Sequence, residues 1–577
     1  MAFQTLADSN SNAALALRDQ ADILQSTRFG QSARRSLVLQ SLFNEQPGAL
    51  PVALDVYGDG AGETGAATPQ NGVVSSLTAQ KPSYNDYGAL FSQRNTVQID
   101  SVLGSRNTGG EQVRAGVGSD TLGVSLAQQY FTTDGFSRFN GLDNRTWQGV
   151  VQWRPVEQMQ AFVLYEDFKS NRGYVFAPAD VLFGTNLLIR DRSKIARLGA
   201  RYSLNADDEV RVLLSQQRTG QLVDYYPFSD PLNSAGSYEG SSRANAVDVQ
   251  YRTRRFGQPL QLGAQIYRSD VAYLTPGFSD FTRRARQVYI SSQQTFNPQW
   301  QLDWSLGWGQ SRAVLVDGTG ATTVQRVLPR LGVVYTPDTA THIRLAAWQG
   351  IGMRAVGDAD LAPVSVAGIV QTRPSDAGKL VRAAALALDR QLGSDWLLEA
   401  QAQTRKTFEP AADGSGGTLF FYQKTDVVTA GMHWQPHTQS WTLGVSATYE
   451  KTRNDENALA NDDVDKQTLR AVQLDTRWFI SPQWRAQLVL SRNWVAGYQQ
   501  VPSGVFQVPV VPTTTPYGTV FNQADVAVVW QLPQRLGQLQ LGVRNLGDTR
   551  FQYTDPDPLT PRFSIGRLVY GSMKLMW

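Results

Sequence analysis

The chain has 577 residues, with 53 Lys and Arg against 50 Asp and Glu and a formal net charge of +3, so nothing signals the concentrated basic face that grips nucleic acid, and no nucleic-acid partner is expected. Charged residues make up 18%, below the roughly 25% usual for soluble domains, while 50 Gly, 14 Trp and 21 Tyr are generous. The absence of Cys excludes thiol catalysis, Cys-ligated zinc and disulfide scaffolds.

No apolar run reaches the length of about 18 residues that a membrane-spanning helix needs. The one other structure that spans a bilayer is a closed β-barrel, whose weak alternating signal must be summed over many segments. The opening residues MAFQTLADSNSNAALALRDQ lack a charged region followed by an apolar core, so no secretion signal is expected and the chain reads as mature or excised.

In chain order, residues 12–45 carry Ala and Leu at helical spacing with a break near Arg28–Gly30, which predicts one degenerate helical hairpin. Residues 46–95 are rich in Gly, Ala, Ser, Thr and Pro and read as a linker. The glycines from Gly58 to Gly65 lack the Gly-Lys-Ser/Thr ending of a phosphate loop. Residues 1–95 are therefore expected to form a periplasmic N-terminal segment that could cap a pore.

From about residue 96 the hydrophobic period becomes two. Trp300, Leu302, Trp304, Leu306 and Trp308 alternate with Gln301, Asp303, Ser305 and Gly307, and Trp441, Leu443, Val445, Ala447 and Tyr449 repeat the pattern. Such segments run from 96–105, through examples such as 208–218 and 424–434, to 566–577, about 22 in all. The fold class predicted is an all-β transmembrane barrel over 96–577 with about 22 antiparallel strands. Connections alternate in length. Short ones carry turn chemistry, as at Ser119-Asp120, Asn205-Ala206-Asp207, Phe296-Asn297-Pro298, Pro337-Asp338 and Ser481-Pro482; between them lie long ones such as 169–195, 351–378 and 495–519. Short turns on the periplasmic side and long loops outside would put both termini in the periplasm of a Gram-negative cell.

Trp and Tyr favour the membrane interface. Trp153, Tyr202, Tyr251, Trp300, Tyr335, Trp396, Trp434, Trp441, Trp478, Trp484, Trp530 and Trp577 stand at predicted short-turn strand ends and are expected to form a girdle against outer-membrane lipid.

The run LGVRNLGDTRFQYTDPDPLTPRFSIGRLVYGSMKLMW (541–577), with Asn545-Leu546-Gly547-Asp548 inside it, resembles the last two strands of TonB-dependent receptors. PRLGVVYTPDTATHIRLAAW (329–348) looks like a hairpin of the same family. The ending Gly571, Met573, Leu575, Trp577 is similar to the signal read by the barrel assembly machinery, which the resemblance implies as a partner. Receptors of that family carry a plug of well over a hundred residues, for which residues 1–95 are too short. The segments STRFGQSARRSLVLQSLFNEQPGALPVALDVYG (26–58), YGALFSQRNTVQIDSVLGSRNTGGEQVRAGVG and QYFTTDGFSRFN instead resemble the junction in outer-membrane proteins that join tetratricopeptide repeats to a receptor-like barrel. Architectural cousins with such repeats export exopolysaccharide, and the resemblance thus implies a periplasmic export partner.

Chemistry needs a nucleophile with a base, or a metal with open coordination, in a cleft. The histidines are His342, His433 and His437, on different predicted strands or turns, and no Gly-x-Ser-x-Gly elbow occurs. Asn454-Asp455-Glu456-Asn457 with Asn461-Asp462-Asp463 and Asp465 is the densest acidic cluster and reads as a solvated loop. No enzyme activity, cofactor or metal site is expected. By phase, Arg197, Arg201, Arg211, Arg252, Arg330, Arg344, Glu399, Asp475, Arg477, Arg485, Asp525 and Arg544 face the lumen. A wall of both signs suits a polar polymer better than one strongly charged solute. The expectation is thus a surface-export conduit gated by its N-terminal segment; the alternatives are a receptor-like importer without its plug, and an adhesion or receptor module acting through its long loops.

Overall fold

The computed structural model describes residues 95–135, 141–173, 185–227, 236–255, 257–275, 280–315, 320–353, 360–371, 378–412, 418–434, 436, 440–454, 464–501, 513–551 and 566–576. The predicted helical hairpin, linker and pore cap within residues 1–94, and Trp577, lie outside these.

The described residues form one antiparallel sheet of 22 strands. In chain order these are β1 (Asn95–Gly104), β2 (Thr108–Gly118), β3 (Leu122–Thr133), β4 (Leu142–Val156), β5 (Met159–Gly173), β6 (Thr185–Ser203), β7 (Glu209–Pro227), β8 (Gly236–Arg255), β9 (Gln258–Tyr273), β10 (Phe281–Asn297) and β11 (Trp300–Leu315). They continue as β12 (Ala321–Asp338), β13 (Thr341–Ile351), β14 (Leu380–Leu392), β15 (Trp396–Ala412), β16 (Thr418–Trp434), β17 (Trp441–Asn454), β18 (Val464–Phe479), β19 (Trp484–Val501), β20 (Thr513–Gln531), β21 (Gly537–Arg544) and β22 (Leu568–Met576). Each strand pairs with its chain neighbours, and β1 pairs with β22, Ile99 opposite Leu575 and Leu103 opposite Gly571. The sheet is closed, so it offers no unpaired edge.

The alternation read in the sequence decides which face goes where. On β11, Ser305 is buried and Leu306 exposed; on β4, Gln152 is buried and Trp153 exposed. Apolar side chains outside and polar ones inside reverse the soluble pattern and match a lipid-bathed barrel. Side chains of the turn residues build the short connections. Asn205 accepts from the amides of Asp207 and Asp208, Asn297 from Gln299 and Trp300, and Ser481 from Gln483 and Trp484, each standing in for a backbone turn.

At the other rim most strands run past their predicted ends. β6 begins at Thr185, and β19 reaches Val501 while β20 begins at Thr513, so the connections expected at 169–195 and 495–519 are in good part strand. A membrane crossing needs only about 9–11 residues, and beyond it both faces meet water, leaving no alternation to read.

The connection between β13 and β14 behaves differently. Residues 360–371 hold a small hairpin, Ser365–Val366 against Ile369–Val370, and Leu361, Ala362, Val364, Val366, Ala367 and Ile369 are buried. An expected outer loop is thus packed on the inner wall. Its contacts span several strands: Gln250 Nε2 of β8 donates to the Leu361 carbonyl at 2.9 Å, Arg330 Nη1 of β12 to the Pro363 carbonyl at 3.2 Å, and the Ala367 amide to Asp303 Oδ2 of β11 at 2.9 Å. The wall is shaped to receive it. A Cβ at Gly332 would lie 2.6 Å from Val366 Cγ1 and 2.7 Å from Ala367 Cβ, and Val366 and Ile369 pack with Ala346, Val381, Ala383, Ala385 and Ala387 of β13 and β14.

Candidate functional site: the inner wall

The wall around this inward segment carries charged side chains of both signs, and strand register sets who meets whom. On β6 to β8, Arg201 pairs across the sheet with Arg211, and Glu209 with Arg252. Arg211 Nε bonds Glu209 Oε1, and Arg201 Nε stands 3.6 Å from Glu209 Oε2. Buried Arg211 and half-buried Arg201 thus share one carboxylate, which offsets what would otherwise be a costly like-charge pair. Arg197, nearby in β6, is buried opposite Ser215.

On β13 and β14 Arg344 bonds Asp389, and on β15 and β16 His433 Nε2 stands 3.4 Å from Glu399 Oε1. Farther round, Arg477 Nη2 lies 3.5 Å from Asp475 Oδ2, which also accepts from Gln487 Nε2 at 3.5 Å. Arg544 Nε lies 3.9 Å from Asp525 Oδ2, and the other Asp525 oxygen accepts the Asn545 amide at 2.7 Å. Arg330 is buried beneath the inward segment. Arg485 sits half-buried on β19, paired in register with Phe479 and Val529.

All twelve residues chosen by phase share the face that carries the inward segment, and the structure spreads them around the wall, eight of them in the ion pairs above, rather than in one cluster. Sequence reading missed Glu209 and Asp389, which close these pairs, and Asp303, which anchors the segment. Phase alone carried the signal for Asp389 and Asp303. The segment's apolar run LAPVSVAGIV (361–370), unusual for an outer loop, was the signal for an inward fold. His342 bonds Thr336 Oγ1 through Nδ1 at 3.2 Å; His437 and the acidic loop 455–463 lie outside the described residues.

The expected girdle aromatics among the described residues lie on the outer face at the short-turn rim. Register brings Trp300 opposite Tyr335, Trp396 opposite Trp434, Trp441 opposite Trp478 and Trp484 opposite Trp530. Trp300 and Tyr335 stack at 4.3 Å between centroids, and Trp434 meets Trp441 edge-on at 4.4 Å. Trp153 and Tyr202 are exposed at the same rim, and Tyr251 is half-buried there, its hydroxyl donating to Asp208 at 2.6 Å.

No family model matches the chain, and no curated protein matches it. Among solved structures, the barrel is similar to the FrpB iron transporter from Neisseria meningitidis in its apoprotein form, with a TM-score of 0.64 and 11% identity over 85% of this chain and 82% of that one. It is similar to the siderophore receptor PiuA from Acinetobacter baumannii, with a TM-score of 0.61 and 11% identity over 85% and 82%. The ferric citrate transporter FecA in its unliganded form gives a TM-score of 0.60 and 12% identity over 84% and 78%. At such identities the likeness is one of fold, and it agrees with the closed β-barrel described above.

Proposed function

We propose that the chain is an uptake barrel of the outer membrane, taking a small metal complex or similar charged solute at its long-loop side and passing it along the paired charges of the inner wall. The observation that carries this reading is the segment 360–371 seated on the wall by Gln250, Arg330 and Asp303. It narrows a bore that would suit a bulky polymer. The similar barrels are an iron transporter, a siderophore receptor and a ferric citrate transporter, and this supports a receptor-like importer over the export conduit that the sequence alone favours. Residues 1–94 would then cap the short-turn mouth, with both termini periplasmic, and Ser101 and Leu103 opposite Met573 and Gly571 would form the seam closed by the assembly machinery.

Tryptophan fluorescence of the purified full chain tests the reading. Ferric citrate or a ferric catecholate should quench it saturably, and Arg477→Gln should weaken the effect. No quenching by either complex, together with passage of dextran through proteoliposomes, would favour export; binding that survives loss of the wall charges but not of the long loops would favour adhesion.

A further inference from the structure

Across five consecutive strands the outer face carries one straight row of cations. Arg382 of β14 stands directly opposite Lys406 of β15, Lys406 opposite Lys424 of β16, Lys424 opposite Arg453 of β17, and Arg453 opposite Lys466 of β18. Directly opposed side chains in an antiparallel sheet lie about 4.5–5.5 Å apart at Cβ, and like charges there repel. Five in succession form a pattern that chain folding alone disfavours. Among the described residues one carboxylate is bonded to the row, Asp426 at 3.2 Å from Lys424 Nζ.

The row is in phase with the lipid-facing apolar band. Leu386, Val428, Val445 and Val472 are exposed on the same face of the same strands. Its height follows from the strands: Lys406 is ten residues from Trp396 and Lys424 ten from Trp434, the aromatics at the other rim. Ten residues span about 34 Å of strand, or about 26 Å along the barrel axis at a tilt of about 40°, close to the roughly 25 Å apolar band of such barrels. The row therefore stands where lipid head groups begin. Rings hold the cations at that level: Arg382 lies 5.3 Å from the Phe408 centroid, Lys406 4.8 Å from Tyr422 and Lys466 5.6 Å from Tyr498.

We infer that this row binds the phosphate groups of phosphorylated lipids in the leaflet on the long-loop side. Fixed cations at head-group height complement phosphate in charge and attract anionic lipid by a sum of small surface terms, and two arginines in the row can grip a phosphate with two hydrogen bonds each. The inference rests on the barrel and its membrane band and is independent of what crosses the lumen.

Native mass spectrometry of the full chain in mild detergent tests it, with lipid A, its dephosphorylated counterpart and phosphatidylcholine as probes. Lipid A should be retained, and Lys406→Gln/Lys424→Gln/Arg453→Gln should reduce retention at least about tenfold. Arg254→Gln/Arg255→Gln/Arg390→Gln, which removes the same charge at the opposite rim, should leave it unchanged. Equal loss from both triple variants, or equal retention of the dephosphorylated lipid or of phosphatidylcholine, overturns the inference. So does a wild-type chain that fails to retain lipid A while the variant with Asp455, Glu456, Asp462 and Asp463 changed to amides retains it.

Discussion

A single hydrogen atom decides the packing at Gly263. A Cβ there would fall 2.1 Å from Tyr289 Cζ, and the Tyr289 hydroxyl accepts from Gln250 Nε2 at 3.0 Å, the same nitrogen that donates to the Leu361 carbonyl. Gly263→Ala should push the ring off its seat and cost about 1–3 kcal/mol, the usual range for overpacking, read as a shift in the urea midpoint of the barrel in lipid vesicles. At the short-turn rim, the Thr253 and Tyr251 hydroxyls and the Asn205 amide beside Asp208 pull its carboxyl down to about 2. A depressed carboxyl stabilises the fold above its ordinary value of 3.8 and loses that contribution as pH falls through about 2. Carboxyl NMR should show the low midpoint, and Tyr251→Phe should raise it. Phase makes the sharpest residue-level expectation. Val428 is 48% exposed and its neighbour Thr429 points inward, so Val428→Arg should cost up to about 2–4 kcal/mol and impair assembly while Thr429→Arg is tolerated; equal heat-modifiable barrel on gels from both variants would refute the assignment of faces. Phase was legible because period two is the one local signal every crossing strand must keep. Partners such as Glu209 for Arg211 were not, since register across strands is set by turns and not by either strand alone.

Among elements, the strands were legible where membrane imposes alternation and illegible where they rise beyond it. β16 is expected at 424–434 and begins at Thr418; β7 is expected to end at 218 and runs to Pro227. The inward segment falls within 351–378, expected as a long outer connection, and it is packed on the inner wall. Its length and position between two strands match an outer loop, and its docking depends on Gly332, Asp303 and the alanines of β14, contacts distant in sequence. Gly332→Leu would fill the space now held by Val366 and Ala367 without touching the sheet's hydrogen bonds. In planar bilayers this variant should conduct several-fold better than the wild type, since the segment would be displaced from the bore. Unchanged conductance would mean that the segment does not narrow the path.

For the whole molecule, closure is the property on which the others depend. β22 is held by β1 and by β21, with Gly571 facing Leu103 on one side and Leu541 on the other. Removing residues 568–577 would leave two long edges inside lipid, where unpaired backbone groups cost several kcal/mol each. The truncated chain should yield no heat-modifiable band on gels. A chain starting near residue 90 keeps all 22 described strands and should fold; if residues 1–89 cap the mouth, its conductance should exceed that of the full chain.

The alanines at 383, 385 and 387 make sense only together with the hairpin they carry. Polar residues line most of the wall, and these three, with Val381, leave an apolar stripe that would be wetted if the hairpin left. The stripe and the run 361–370 are therefore halves of one heritable unit. In any lineage descended from this chain, enlargement at 383, 385 or 387 should be accompanied by shortening or loss of the hairpin, and a shortened hairpin should release those positions to drift toward Gln, Ser or Arg like the rest of the wall.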